Sequence, residues 1–194
     1  MTPADSDPFV IAGRVSALLE SFGMPCSVGG SVASSLAGEP RSSLDVDIVV
    51  LFEPSRIDEL AAALDRDFYV PRAALARAAA EKTSVNVIHR RTSLKVDLFA
   101  VGGTAIDEDV LSRRIEVTVG DPPIRLHVHT PEDILLLKLR WYRRGGEVSD
   151  RQWRDVLGIV RVQQVRLDQT YLRRGAKRLD VEDLLERALD EAFG

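Results

Sequence analysis

Two aspartates separated by one valine, Asp45-Val46-Asp47, open an apolar run, and a third, Asp97, stands inside SLKVDLFAV. Residues two apart on a strand point to the same face, so Asp45 and Asp47 share one. Carboxylates held a few ångströms apart repel, and burying them uncompensated is costly. A divalent cation resolves that conflict, because hard Mg²⁺ takes carboxylate oxygens and keeps positions for phosphate oxygens. If the strand carrying Asp97 lies beside the strand carrying the other two, three carboxylates converge. That donor set suits two-metal activation of a hydroxyl attacking a phosphate.

Upstream, Gly29-Gly30-Ser31 stands between a short apolar strand and a helical stretch. Glycines at such a turn let backbone approach a ligand, and amides at a helix start favour anions such as a triphosphate. Ser31 supplies a hydroxyl for the same phosphates. Alone, a D-x-D is common in loops and a G-G-S is mostly a turn. What singles this chain out is the turn, the D-x-D strand and the later strand acid in succession.

The elements that must position these groups are readable from periodicity. FVIAGRVSALLES, residues 9–21, has helical spacing and stops before Gly23. CSV is a short strand, and SVASSLA is a turn or two of helix. Leu44 to Phe52 is the strongest strand, β-branched and almost continuous, and it reads as buried on both faces. Ile57–Leu64 and Arg72–Glu81 read as alanine-rich helices joined by Asp67-Phe68-Tyr69-Val70-Pro71. SVNVIHR and SLKVDLFAV alternate with period two across Arg91-Thr92, which predicts a hairpin. The apolar neighbours Val96 and Leu98 predict a buried setting for Asp97. A short helix near Glu108–Arg114 and strands IEVTV and IRLHVH follow. From Thr-Pro-Glu-Asp at 130–133 the pattern turns all-helical, with Thr130 as N-cap, Pro131 at the first helical position and two acids in the first turn. Helices are expected at 131–144, 150–165, 168–178 and 180–192. The expected organisation is an α/β domain over 1–130 and a C-terminal helical region over 131–194 packed on it.

Composition bounds the class. A hydrophobic content of 45% with 29% charged residues is that of an ordinary globular chain, and a single cysteine excludes an intrachain disulfide framework. There is no apolar run long enough to span a membrane, so no membrane partner is expected. The start, MTPADSDPFVIAGRV, carries acids where a secretory leader carries basic residues, so the expected location is the cytoplasm. Between Lys138 and Arg178 twelve Lys or Arg face four Asp or Glu, which leaves −12 on the rest of the chain to give the total of −4. Such a basic segment is either a solvated helical surface or a polyanion-binding face.

Several other residues read as structural. His127 and His129 have metal-ligand spacing but no third ligand nearby, and are read as polar residues of an edge strand. Cys26 reads as core filler. Trp141, Tyr142 and Trp153 fall at helical spacing, which favours helix–helix packing over stacking on single-stranded RNA.

With Gly30-Ser31, thirteen intervening residues, Asp45-Val46-Asp47 and then Asp97, the chain resembles the nucleotidyltransferase superfamily of the polymerase-β-like fold. It is similar to the minimal bacterial nucleotidyltransferases and to the head domains of CCA-adding enzymes. It lacks the further pairing motif of the latter and is too short for their body domains. The resemblance implies an α+β fold, a small mixed sheet flanked by helices and followed by a C-terminal helical bundle. It implies a transferase that moves a nucleoside monophosphate from an NTP to a protein, RNA or small-molecule hydroxyl and releases pyrophosphate. Asp45 and Asp47 would hold Mg²⁺ or Mn²⁺, and Asp97 would act as base or metal ligand. Gly29, Gly30 and Ser31 would grip the triphosphate. The stretch TPEDILLLKLRWYRRGGEVSDRQWRDVLGIV is similar to the helical region of bacterial proteins related to AbiEii-like toxins. That likeness implies a phosphate contact for Lys138, a supporting role for Asp155, and a possible cognate antitoxin. From the residues alone, Lys138 reads equally as a lysine that snorkels from a core-facing helix. The alternatives to transfer are a non-catalytic nucleotide-binding or toxin–antitoxin interaction protein that keeps the fold, and a hydroxyl-adenylating resistance enzyme.

Overall fold

The computed structural model describes residues 7–40, 43, 45–102 and 106–193, so Leu44, the expected start of the strongest strand, lies outside the described residues. The chain divides into two compact units, Met1–Val32 with Ser42–Val128 and Ala33–Arg41 with His129–Gly194.

The first unit is built on a mixed sheet. Its strands are β1 (Cys26–Val28), β2 (Asp45–Val50), β3 (Phe68–Tyr69), β4 (Ser84–His89), β5 (Lys95–Ala100), β6 (Ile115–Val119) and β7 (Ile124–Val128). They lie in the order β3-β4-β5-β2-β1-β7-β6. β4 and β5 form the antiparallel hairpin expected from their alternation. β2 pairs with β5 in parallel, because α3 (Ile57–Leu64), β3, α4 (Arg72–Glu81) and β4 intervene between them. The two-residue β3 is an element that periodicity did not predict, since its pairing with His89 and Ile88 of β4 is what makes it a strand.

Helix α1 (Pro8–Ser21) starts where Asp7 accepts from the Phe9 amide at 2.8 Å and Pro8 takes the first position. It ends before Gly23, which adopts φ +71°. α1 covers the face that carries Cys26, whose Sγ reaches the Ser16 carbonyl at 3.8 Å. Cβ atoms from Val46, Ile48, Val50, Val96, Leu98, Val85 and Val87 are buried on that same side by alternation. α3 packs on α1, and α4 on α3, while the short helix expected near Glu108–Arg114 is α5 (Asp107–Arg113), between β5 and β6 in the chain.

The other face corrects the expectation of strands buried on both sides. Along β2 the residues Asp45, Asp47 and Val49 are half-exposed while their neighbours are buried, and β5 repeats this with Lys95, Asp97 and Phe99. The apolar run is almost continuous in sequence, but the pleat assigns its acids to the wetter face, where charge costs less.

The second unit is helical: α6 (Pro131–Arg144), α7 (Asp150–Gln163), α8 (Gln169–Leu179) and α9 (Glu182–Phe193). Thr130, Ser149 and Asp168 cap α6, α7 and α8 through their side-chain oxygens. Tyr142 and Trp153 pack at 5.1 Å between ring centroids, whereas Trp141 is 47% exposed beneath the Arg144 guanidinium. Asp133 is fully buried and accepts from the Tyr171 hydroxyl at 2.5 Å and from the Thr130 hydroxyl at 2.7 Å, which compensates its charge. Among the described residues no helix is long and apolar enough to cross a membrane.

The histidines depart from expectation. β7 lies between β1 and β6, so it is not an edge strand. His127 Nδ1 pairs with Glu20 at 2.7 Å, while His129 follows the strand end and is buried.

Candidate active site

The parallel register of β2 and β5 settles where the acids stand. Asp47 is the cross-strand partner of Asp97, and Asp45 that of Lys95. Adjacent strands are about 4.8 Å apart, so Asp47 and Asp97 stand side by side on one face with Asp45 one pleat away. Asn86 of β4 is the partner of Asp97 on its other flank.

Each carboxylate is held differently. Asp45 Oδ1 accepts from the Ser43 hydroxyl at 2.8 Å and from Ser31 Oγ at 3.4 Å, and the two serine hydroxyls are 2.5 Å apart. Asp47 lies against the start of α2 (Gly30–Ala37): a Cβ built on Gly30 would fall 1.7 Å from Asp47 Oδ2. Gly30 has φ +55°, which glycine adopts without penalty, so both its backbone and its missing side chain are required here. The Gly29 amide donates to the Asp47 carbonyl at 2.9 Å, tying the turn to β2. Asp97 Oδ2 pairs with the Lys95 ammonium at 2.8 Å.

The hydrogen bond to Asp97 is the largest cause raising the Lys95 pKa above its ordinary value, with the charges of Asp97, Asp45 and Asp47 adding to it. Lys95 thus feels all three acids. Among the described residues no group of three or more His, Cys, Asp or Glu side chains is placed to hold a metal ion as the side chains stand.

Gly29, Gly30, Ser31, Asp45, Asp47 and Asp97 are therefore brought to one region of the first unit. Lys138 and Asp155 belong to the helical unit, where they form a buried ion pair at 2.7 Å with side chains 11% and 7% exposed. Ser43 and Lys95 were missed from sequence. The signal that points to Lys95 is its Lys-x-Asp spacing on β5, which places it on the face of Asp97, whereas Ser43 precedes β2 and reaches Asp45 as a hydroxyl bonding locally two residues on.

No protein-family model matches the sequence, and no curated protein matches it. Solved structures do superpose on it. An antigenic nucleotidyltransferase-like protein from Paracoccidioides brasiliensis is 18% identical with a TM-score of 0.58, covering 96% of this chain and 93% of that one. The chain has the nucleotidyltransferase fold. The antibiotic-resistance factor ANT(2'')-Ia is similar over 95% of this chain and 94% of its own, at 13% identity and a TM-score of 0.50. In this nucleotidyltransferase fold the acidic face is formed by the parallel strands β2 and β5, and the glycine turn enters it from β1.

Proposed function

We propose that the protein is a metal-dependent nucleotidyltransferase that moves a nucleoside monophosphate from an NTP to a hydroxyl of a protein, RNA or small molecule. The observation that carries this reading is the Asp47–Asp97 register, with Asp45 on the same face and the Gly30–Ser31 turn against it. Three carboxylates on one half-exposed face supply the oxygens that a hard divalent ion takes, and holding one would need those side chains to turn towards each other. Asp45, Asp47 and Asp97 would hold Mg²⁺ or Mn²⁺, which supplies charge neutralisation on phosphate oxygens.

The chain's own groups do the rest. Amides at the start of α2 and the Ser31 hydroxyl bind the triphosphate, and Gly29 holds that turn to β2. Ser43 orients Asp45. The acceptor oxygen forms a bond to the α-phosphorus, the bond from that phosphorus to the bridging oxygen breaks, and pyrophosphate leaves. Asp97 takes the acceptor's proton or serves as a metal ligand. Catalysis of this type is positioning and electrostatics. Lys138, steadied by Asp155, is assigned to nucleotide phosphate by the sequence likeness of its helix.

The test is label transfer. The purified protein is incubated with each α-labelled NTP, Mg²⁺ or Mn²⁺, and total tRNA or cell lysate as acceptor. Asp97→Asn and Asp45→Asn are expected to lower transfer by about 100-fold or more, the usual contribution of a general base or its equivalent. Nucleotide binding without transfer under every condition would favour the second reading, a non-catalytic nucleotide-binding protein, to which the Lys95–Asp97 pair lends weight.

A further inference from the structure

Lys95 stands opposite Asp45 in the register of β2 and β5 and two residues before Asp97, so the pleat puts its side chain on the acidic face. Its ammonium bonds Asp97 Oδ2 at 2.8 Å. Asp97 therefore carries a cation supplied by the chain itself, while Asp45 is held by serine hydroxyls and Asp47 lies against Gly30. The lysine side chain is 45% exposed and that of Asp97 only 17%. The pair is thus more buried at the carboxylate than at the amine.

We propose that Lys95 is a displaceable counter-ion of the acidic face: a divalent cation reaches Asp97 only by breaking the Lys95–Asp97 pair, and the released ammonium then binds the phosphates of the incoming nucleotide. This rests on the transferase reading of the same site. An ammonium and a divalent ion compete for the same carboxylate lone pairs and repel each other at short range. A pair whose amine stays 45% exposed remains partly hydrated and contributes modestly, so the exchange is accessible, and four carbons of flexible stem let the amine swing without moving the strand. The exchange keeps Asp97 paired with a cation in the resting protein. It also couples metal entry to capture of the triphosphate, because one event frees the cation that the other needs. Lys95 is thus the resting partner of Asp97 and, once released, a binding residue for the nucleotide phosphates.

Calorimetric titration of Mn²⁺ into metal-free wild type, Lys95→Met and Lys95→Arg tests the exchange without any turnover. Lys95→Met is expected to bind Mn²⁺ about two- to fivefold more tightly, the worth of an exposed ion pair, and Lys95→Arg to return towards wild type because it restores the competing charge. With Mn²⁺ present, Lys95→Met is expected to bind a non-hydrolysable NTP analogue more weakly than wild type. Equal or weaker Mn²⁺ binding by Lys95→Met, or an unchanged affinity for the analogue, overturns this inference and leaves the transferase reading standing. Failure of all three proteins to bind Mn²⁺ overturns the metal site and this inference together.

Discussion

A side chain on Gly30 would collide with Asp47: the Cβ position lies 1.7 Å from Oδ2, 2.6 Å from Cγ and 2.9 Å from Cβ of that aspartate. The near approach includes the root of the side chain, so a rotamer change cannot relieve it cheaply. Gly30→Ala is expected to push Asp47 off its position and to cost about 1 kcal/mol or more, since alanine is strained at φ +55°. Thermal melting reads the stability, and Mn²⁺ titration reads the displaced carboxylate. Unchanged values for both would show that the turn tolerates a methyl group.

Lys138 and Asp155 form a buried pair, and a buried charge left without its partner is strongly destabilising. Lys138→Met alone is expected to cost about 3–5 kcal/mol in urea denaturation. Lys138→Met with Asp155→Leu is expected to recover most of that loss, because neither charge remains. The double variant then serves as a folded protein in which nucleotide affinity reports on the Lys138–Asp155 pair.

Burial pushes the Cys26 thiol up to about 12, with the Ser16 contact opposing only in part. The thiolate is the reactive species, so Cys26 in the native protein is expected to resist an aromatic disulfide reagent at pH 8. Reaction is expected only as fast as the chain opens, and to become immediate in denaturant. Rapid labelling of the native protein would contradict this burial.

Desolvation lowers the His129 pKa from 6.5 to about 3. The folded state therefore excludes a proton that the unfolded chain takes up below about pH 6.5, and stability increases with pH across that window. The contribution is complete above pH 6.5 and declines towards pH 3 by up to about 1.4 kcal/mol per pH unit. His129→Gln is expected to flatten that part of a stability-versus-pH curve measured by urea denaturation. An identical slope in the variant would assign the acid limb to other groups.

Most of the elements were legible because their causes are local. The Asp7 cap and Gly23 bound α1, Thr130 and Pro131 open α6, and alternation in SVNVIH and KVDLFA produces the β4–β5 hairpin. The candidate acids were legible for the same reason, since Asp45 and Asp47 must share a face wherever that strand goes. Other features were not. β3 exists only through its partner β4, and the face of β2 on which Asp45 and Asp47 stand became distinct from its buried face only when α1 covered the Cys26 side.

The sequence by itself determined which residue types were available and which of them alternate together, because pleat and helix periods are properties of neighbouring residues. Only the tertiary structure decided that Asp47 meets Asp97, since their strands are parallel and nearly fifty residues of crossover lie between them. It also decided that Lys95 rather than another acid is bonded to Asp97, and that the glycine at position 30 exists to make room for Asp47. Those are contacts between distant segments, and their register is selected by the packing of the whole sheet.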